Sequence, residues 1–559
     1  MLRDLRCKDR SSAPARQDTQ SMRLIITASS LGTAFEFFDF YIYAMLTINI
    51  SSTFFSGVNE ITGYMLSLAT FSAGFVIRPF GAIVFGRIGD LAGRKNTFLV
   101  TMAIMGLCTF TIGLLPSYAS AGIISPILLV ALRLLQGLSL GGEFGGAATY
   151  VAEHAPNNKR GLYTGWIQTM APVGLVVAQS VVIGAHSVLG TVAFDKWGWR
   201  IPFLASIIFL AISIWIRLKL RESPVFMKMK QQGTASKAPL TEAFGRWKNL
   251  RLVLIVLFGA IIGQTVIGHV GFFYSLIFIE KTLKVDSGDA TVVIASATAL
   301  AAPCVLLFGW LSDKIGRKRI ILTGCALAAL TYFPLFAALT RAANPAFAHA
   351  QAAVPVVVVA HRKDCSLQFD LIGNRRFDMS GCDIAKSALA KAGIPYTNQD
   401  VPSGSIARVE LSGLSIEAPD AARLSANEKS HAIAAFRNSL RTALISAGYP
   451  DRADSTAMNR PVIICILLVM ELYVAMVIGP MSAMLVEIFP ARIRYTSMSL
   501  PYHLGNGWIG GILPVTAFAI VTATGNIYYG LWYPVIIAGA TVVVGLLFLP
   551  ETCRRDINQ

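Results

Sequence analysis

Twelve long apolar stretches dominate this sequence of 559 residues. Each is close to or above the roughly 20 residues that an α-helix needs to cross the hydrocarbon core of a bilayer. Only 14% of the residues are charged, whereas soluble domains average about 25%. We therefore predict an all-α membrane protein whose twelve transmembrane helices lie near residues 24–52, 62–86, 97–115, 122–150, 161–186, 200–218, 251–280, 288–311, 319–341, 461–489, 492–522 and 527–549.

A short polar motif, Gly-x-x-x-Asp-x-x-Gly-Arg-Lys, occurs twice, at residues 86–95 and 309–318. Each copy lies between two apolar stretches, and the second begins 223 residues after the first. Such an internal repeat predicts two pseudo-symmetric bundles of six helices. Its charged side chains can bond helix ends across the seam between the bundles. We interpret four of them as gating residues: Asp90, Arg94, Asp313 and Arg317.

A second repeat indicates an insertion in the second half of the chain. Glu153 and Arg160 recur 334 residues later as Glu487 and Arg494, an offset that is 111 residues longer than that of the first motif. Residues 342–460 are polar and too charged to cross a membrane. We predict that they form a small α/β domain between helices nine and ten, outside the cytoplasm, with strands near 354–359 and 406–416 and helices near 383–392 and 428–446.

Cys365 and Cys382 lie in this insert. In an oxidising compartment they would form a disulfide, although two free thiols also fit the sequence. The histidines, cysteines and carboxylates show no spacing typical of a metal site or a catalytic set. We therefore expect no metal, no cofactor and no enzymatic activity, and we expect the proton gradient to be the driving force.

The net charge of +17 does not indicate nucleic-acid binding, because the basic residues concentrate on one side of the predicted membrane. This positive-inside bias places both termini in the cytoplasm. We expect a multi-pass protein of the bacterial cytoplasmic (inner) membrane with a periplasmic insert. The expected organisation is a cytoplasmic N-terminal tail (1–23), the N-terminal bundle (24–218), a cytoplasmic central loop (219–250), helices seven to nine (251–341), the insert (342–460), helices ten to twelve (461–549) and a cytoplasmic C-terminal tail (550–559).

Ionisable residues near the membrane midplane are costly, at least ~2.5–3.5 kcal/mol each, and so call for a partner or a function. Glu36 and Asp39 share a face of the first helix with Tyr43, about 20 Å from its start. We interpret at least one of these two acids as a proton carrier, with a structural salt bridge as the alternative. Arg133 lies in the fourth helix at about the same depth in the membrane. It is either a counter-ion for these acids, a clamp for a substrate carboxylate or part of a structural ion pair.

Other polar residues in the apolar stretches complete the candidate site. Glu471 in helix ten is a second candidate for proton coupling. Arg78 and Glu143 are placed near cytoplasmic helix ends, where snorkelling and pairing between helices explain them. Several side chains could line a substrate cavity, and hydrogen bonding or packing between helices explains them equally well: Tyr43, Gln136, Gln168, His269, Tyr502 and Asn506.

The two Gly-x-x-x-Asp-x-x-Gly-Arg-Lys motifs resemble those of the major facilitator superfamily. Further segments resemble its metabolite:proton symporters, which include shikimate, α-ketoglutarate, citrate and proline/betaine carriers. These segments are Gly-Thr-Ala-Phe-Glu-Phe-Phe-Asp-Phe-Tyr at 32–41, Arg-Pro-Phe-Gly at 78–81, Arg-Leu-Leu-Gln-Gly at 133–137, Trp-Gly-Trp-Arg-Ile-Pro-Phe at 197–203 and Arg-Glu-Ser-Pro-Val-Phe at 221–226. The resemblance implies alternating access, proton-driven uptake, and a transport path near Arg133 and the acids of helix one.

Two departures from this family pattern concern the site and the insert. Phe37-Phe38 stands where a Trp-Tyr or Trp-Phe pair is common, and the familiar carriers lack the insert. We expect a monomeric proton-coupled symporter that imports a small metabolite, with a carboxylate as the favoured class. Its partners would be the metabolite, protons and the lipid bilayer, without nucleic acid. The alternatives are an exporter of the same fold and a receptor or sensor that uses the insert as its binding domain.

Overall fold

The computed structural model describes residues 22–58, 60–156, 158–368, 377–553 and 555–557. The expected N-terminal tail therefore lies almost entirely outside the described residues. Twelve segments in the described chain are long and apolar enough to cross a membrane, if one bent pair counts as a single segment. We number them α1 (Met22–Met45 with Thr47–Phe54), α2 (Leu66–Ala92), α3 (Arg94–Leu114), α4 (Ile124–His154), α5 (Arg160–Lys196), α6 (Gly198–Leu218), α7 (Trp247–Thr282), α8 (Ser287–Ile315), α9 (Arg317–Ala343), α10 (Arg460–Ile488), α11 (Ala491–Thr524) and α12 (Tyr529–Phe548).

The expected twelve-helix fold is confirmed, and α1 differs in shape from the continuous helix that we predicted. Its two parts meet at an angle of 64° next to Leu46. The Thr47 hydroxyl donates to the carbonyls of Tyr43 at 3.0 Å and Ala44 at 2.9 Å. Such bonds from a threonine back to the preceding turn bend helices, and here the bend lies just beyond Tyr43.

Glycines in α4 allow close packing at the centre of the N-terminal bundle. A Cβ atom on Gly137 would lie 2.1 Å from the Gly74 carbonyl oxygen, and one on Gly141 would lie 2.2 Å from the Arg78 carbonyl oxygen. Small residues are what permit helix backbones to approach this closely in membranes. The close approach of α2 to α4 therefore depends on glycine at these two positions.

Short helices connect the two bundles. Pro224–Gln231 and Pro239–Phe244 lie in the central loop. The Ser223 hydroxyl accepts from the Phe226 N–H and caps the first of them. Arg217 is buried in the last turn of α6.

The insert is an α/β domain, as expected. Its helices are Pro345–Ala353, Gly381–Lys391 and Ala426–Ser446. Its four strands form a mixed sheet in the order β2-β1-β3-β4. β1 pairs in parallel with β2 and antiparallel with β3, which pairs antiparallel with β4. The strands are β1 (Val356–Ala360), β2 (Thr397–Asp400), β3 (Arg408–Leu411) and β4 (Leu414–Glu417).

The single strand predicted at 406–416 is wrong, because this stretch is a β-hairpin. Ser412 and Gly413, between β3 and β4, have φ values of 48° and 78°. Two successive residues with positive φ form the tight turn that reverses a hairpin. β2 has no counterpart in the sequence-based expectation.

The insert is fixed to the C-terminal bundle. The Tyr396 N–H donates to the Gly525 carbonyl at 2.9 Å, and the Tyr396 hydroxyl donates to the Thr522 carbonyl. The Ala453 N–H donates to the Lys284 carbonyl at 2.9 Å. These bonds tie the insert to the end of α11 and to the connection between α7 and α8.

Candidate functional site

The acid and the arginine that the sequence placed at mid-membrane form an ion pair. An Arg133 Nη atom lies 3.2 Å from an Asp39 carboxylate oxygen, and both residues are buried. Gln136 joins the two, since its amide nitrogen donates to Asp39 at 3.0 Å and its oxygen accepts from Arg133 at 2.8 Å. The Thr109 hydroxyl donates to Asp39 at 2.8 Å. Asp39 therefore holds α1, α3 and α4 together.

Arg133 retains unused donors within this cluster. Its guanidinium lies over the Tyr43 ring, 3.6 Å from the ring centroid, and Nε and Nη2 have no hydrogen-bond partner in the described part of the chain. The Tyr43 hydroxyl donates to the Ser67 carbonyl at 3.2 Å. A buried guanidinium with two free donor nitrogens, Nε and Nη2, is short of acceptor oxygens, which a carboxylate supplies in the matching planar geometry.

Glu36 has a different partner from Asp39. Its carboxylate lies 3.9 Å from Arg78, whose guanidinium also lies over the Phe75 ring, 4.3 Å from its centroid. The side chains of Glu36 and Arg78 are 16% and 15% exposed, so this pair is less enclosed than that of Asp39 and Arg133. Placing Arg78 at a snorkelling helix end is wrong, because α2 continues to Ala92 and sets Arg78 about 20 Å from that end.

The half-buried polar residues of the two bundles meet at the seam between them. The Gln168 amide donates to the Ser482 hydroxyl at 3.2 Å. The rings of Phe144 and Tyr502 stack with centroids 3.5 Å apart, and the Trp508 indole N–H donates to the carbonyl of Val76, two residues before Arg78, at 3.3 Å. Glu36, Arg78, Gln168 and Tyr502 therefore face a common region between the bundles.

His269 and Asn506 lie at irregular turns of α7 and α11. His269 precedes a π-helical turn at Val270–Tyr274, and Asn506 lies within another at Leu504–Ile509. The side chain of each bonds to its own helix, His269 to the Thr265 carbonyl at 2.9 Å and Asn506 to the Tyr502 carbonyl at 3.0 Å. Turns of this kind often occur at functional sites, whereas the hydrogen bonds alone also fit a packing role.

Glu471 is a buried acid in the C-terminal bundle. It accepts a hydrogen bond from the Thr298 hydroxyl at 3.3 Å. No lysine, arginine or histidine among the described residues lies within 4.0 Å of its carboxylate, in contrast to Asp39 and Glu36. An acid that is buried without a cation is stable only when protonated or solvated, because the charged form is costly to bury.

The two repeated motifs bond across the seam in the same way. Asp90 accepts from the backbone N–H groups of Tyr495 at 3.3 Å and Thr496 at 2.9 Å, at the start of the helical segment Arg494–His503 of α11. Asp313 accepts from those of Gly161 at 2.9 Å and Leu162 at 3.0 Å, at the start of α5. Each aspartate thus binds the N-terminal end of a helix of the other bundle, where helix dipoles favour negative charge.

Arg94 and Arg317 support these aspartates from one turn further along the chain. Arg94 lies 3.2 Å from Asp90 and donates to the Ala491 carbonyl at 2.7 Å. Arg317 lies 2.6 Å from Asp313. All four motif residues are buried, so the end of the molecule that carries both motifs is closed in this structure.

The second repeat forms reciprocal ion pairs that we did not assign to the gate from the sequence. Arg494 of the C-terminal bundle lies 2.6 Å from Glu153 of the N-terminal bundle. Its counterpart, Arg160, lies 3.7 Å from Glu487, which also binds Arg317 at 3.1 Å. The constant offset of Glu153 and Arg160 from Glu487 and Arg494 was the signal that could have identified them.

A further buried pair joins Glu143 to Arg217. Their charged groups are 3.5 Å apart, both side chains are 1% exposed, and the guanidinium lies 3.5 Å from the centroid of the Phe98 ring. Snorkelling is therefore the wrong explanation for Glu143, whereas pairing between helices, α4 to α6, is what the structure has. The pair links α4 to α6 within the N-terminal bundle.

Two family models match the chain. The model described as Major Facilitator Superfamily matches residues 24–359, and that of Sugar (and other) transporter matches residues 432–559. Neither matches residues 360–431, which lie in the insert. Because the first match covers more than half of the chain, the protein belongs to the major facilitator superfamily, and it is a membrane transporter and not an enzyme.

The relatives and solved structures agree with this family. A Haemophilus influenzae protein provisionally named for metabolite transport is 38% identical over 59% of this chain and 77% of its own length. The Escherichia coli inner membrane metabolite transport protein YhjE is 36% identical over 58% and 74%. The structure of the proton:xylose symporter XylE bound to 6-bromo-6-deoxy-D-glucose matches the fold with a TM-score of 0.59 at 14% identity, over 96% of this chain and 98% of that chain.

Proposed function

We propose that this protein is a proton-coupled symporter that imports a small carboxylate across the bacterial cytoplasmic membrane. The observation that carries the proposal is the buried pair of Arg133 and Asp39, in which two nitrogens of the guanidinium, Nε and Nη2, have no acceptor among the described residues. The relatives named for metabolite transport and the proton-coupled XylE support the same class of activity. The name of the YhjE relative supports the inner membrane as the location.

Coupling would follow from the need to neutralise Arg133. Leaving a buried guanidinium without an anion costs several kcal/mol. Either ionised Asp39 or the carboxylate of the substrate meets this need. Protonation of Asp39 would remove its charge and allow the substrate to take its place, while Gln136 continues to hold Arg133. Proton and substrate therefore bind together and leave together.

Other polar residues would act along the transport path. Glu36 with Arg78 offers a second acid and a second cation at the seam, where Gln168, His269, Tyr502 and Asn506 would contact the substrate. Glu471, which has no cation nearby, would carry a proton in the C-terminal bundle.

Asp90, Arg94, Asp313 and Arg317 would form the cytoplasmic gate. Basic residues concentrate at this end of the helices, which is typical of the cytoplasmic side, and the insert lies at the opposite ends of α9 and α10. In the closed arrangement described above, the path would open only to the periplasm. Breaking the bonds of Asp90 and Asp313 would then expose the site to the cytoplasm.

Transport in reconstituted vesicles tests this proposal. A panel of radiolabelled shikimate, α-ketoglutarate, citrate and glycine betaine is offered to vesicles with an acidic exterior, and we expect accumulation of a carboxylate. Asp39→Asn, which mimics the protonated acid, should abolish accumulation but retain exchange of substrate across the membrane. Arg133→Gln should abolish both.

The matched control is Asp195→Asn, because Asp195 is an exposed aspartate that accepts from Asn49 within the same bundle. It should transport like the wild type. Accumulation by Asp39→Asn at the wild-type level would contradict the coupling mechanism. If an inward proton gradient drives the substrate out of vesicles that contain the wild-type protein, the protein is an exporter instead.

A further inference from the structure

A cavity of about 610 Å³ lies where the insert meets the connection between α7 and α8. Two of the residues that line it are Lys281, at the end of α7, and Lys284, in the connection that follows. Lys391 and Arg437 line it from the insert helices Gly381–Lys391 and Ala426–Ser446. Its volume is within the range of about 300–1,000 Å³ that is typical of sites for small molecules. The cavity is distinct from the cluster around Arg133.

The acids that line this cavity already have partners. Asp451 binds Arg441 at 2.5 Å, Glu280 accepts from the Ser287 hydroxyl at 2.7 Å, and Asp286 accepts from the Gly288 N–H at 2.9 Å. Five basic side chains of the lining have no carboxylate within 4.0 Å in the part of the chain that the structure describes. They are Lys281, Lys284, Lys391, Arg437 and Arg452.

Lys284 lies where the connection between α7 and α8 contacts the insert, and hydrogen bonds fix its position. Its φ value is 60°, a left-handed conformation that is unfavourable for a non-glycine residue. Its carbonyl accepts from the Ala453 N–H at 2.9 Å, and its ammonium donates to the Pro450 carbonyl at 3.3 Å. The contact with the insert therefore stabilises an unfavourable backbone and fixes a cation at the edge of the cavity.

The cations on the insert side repel one another. Burial and the charge of nearby Arg437 lower the pKa of Lys391 from its ordinary value. A bound anion would relieve this repulsion and favour the protonated amine. Apolar side chains lie among the cations, including Leu440, Leu444 and Val285.

We infer that this cavity binds a small organic anion that carries at least two carboxylates. Lys281 and Lys284 beside α7 would bind one carboxylate of this anion, and the basic residues of the insert would bind another. The apolar residues of the lining would contact its carbon skeleton. An inorganic phosphate would leave most of this volume and the apolar lining unused. Because the two sets of cations belong to different parts of the chain, the bound anion links the insert to the C-terminal bundle.

Isothermal titration calorimetry on the full-length protein in nanodiscs of zwitterionic lipid tests this inference. The titrations use Arg133→Gln as the parent, so that binding at the proposed transport site is absent, and the probes are citrate, succinate, acetate and inorganic phosphate. We expect citrate and succinate to bind at least tenfold more tightly than acetate and phosphate.

Two double variants locate the site. K391Q/R437Q should weaken citrate binding at least tenfold, and so should K281Q/K284Q on the transporter side. K363Q/R423Q removes the same number of charges from exposed positions of the insert that do not line the cavity, and it should bind citrate like the parent. Absence of citrate binding in the parent, equal binding of phosphate, or equal loss in the control variant would overturn the inference. Because the parent lacks Arg133, the outcome of these titrations does not depend on whether the proposed symport mechanism is correct.

Discussion

Substitution of Asp313 tests the hydrogen bonds that close the seam between the two bundles. Its carboxylate accepts two backbone N–H groups from the other bundle, those of Gly161 and Leu162. Asp313→Asn preserves the size of the side chain but leaves one acceptor oxygen, so one of the two bonds is lost. The new amide N–H would also face a backbone N–H. We expect the variant to shift the equilibrium away from the closed seam.

The magnitude follows from the bond that is lost. A hydrogen bond to a charged group contributes roughly 1.5–3 kcal/mol, and each 1.4 kcal/mol is a factor of ten in an equilibrium constant. The ratio of closed to open molecules should therefore fall by about 10- to 150-fold. Arg317 loses a charged partner as well, but it keeps Glu487 at 3.1 Å, which limits that contribution.

Pulsed electron paramagnetic resonance measures this shift. Spin labels are attached to cysteines introduced at Lys159 and Lys314, exposed positions that lie close to Gly161 and Asp313 on the two sides of the seam. All cysteines other than Cys365 and Cys382 are replaced. Asp313→Asn should add a population at longer distance, whereas Asp195→Asn should leave the distribution unchanged. A distribution in Asp313→Asn identical to that of the parent refutes the assignment of these bonds to a gate.

Three further predictions concern other ion pairs and the disulfide. Glu153→Gln and Arg494→Gln should each open the seam in the same assay, and the double variant should show a coupling of about 0.5–3 kcal/mol because the residues are in direct contact. Arg217→Met should lower the stability by about 3–5 kcal/mol, since it leaves Glu143 buried without a cation, whereas R217M/E143L should be nearly neutral in thermal unfolding. Cys365 and Cys382 are bonded across a separation of 17 residues, so reduction should destabilise the insert by roughly 3 kcal/mol. In C365S/C382S, the unfolding of the insert should no longer respond to the reductant in the same thermal assay.

The sequence analysis succeeded for residues whose role can be recognised from the residue type and its position in the chain. The cost of a charge in the membrane was enough to single out Asp39 and Arg133, which the structure pairs. The repeat singled out Asp90 and Asp313, which bond across the seam. Their partners there are backbone N–H groups, and no side chain in the sequence could have indicated them.

Features that depend on distant parts of the chain escaped the sequence analysis. Arg217 stands at the polar end of an apolar helix, and only the fold shows that Glu143 and Phe98 enclose it. β2 is exposed along its whole length, so Thr397–Asp400 lacks the alternation of apolar and polar residues that predicts a strand. The turn at Ser412-Gly413, by contrast, has a glycine signal that was available in the sequence.

The central claim is that ionised Asp39 and the substrate carboxylate alternate as the anion beside Arg133, so that Asp39 takes up a proton when the substrate binds. Proton influx measured with a pH-sensitive dye inside vesicles, upon addition of the accumulated carboxylate, tests it most directly. We predict substrate-dependent acidification with the wild type and none with Asp39→Asn, although that variant still exchanges substrate. Acidification by Asp39→Asn at the wild-type rate would contradict the account.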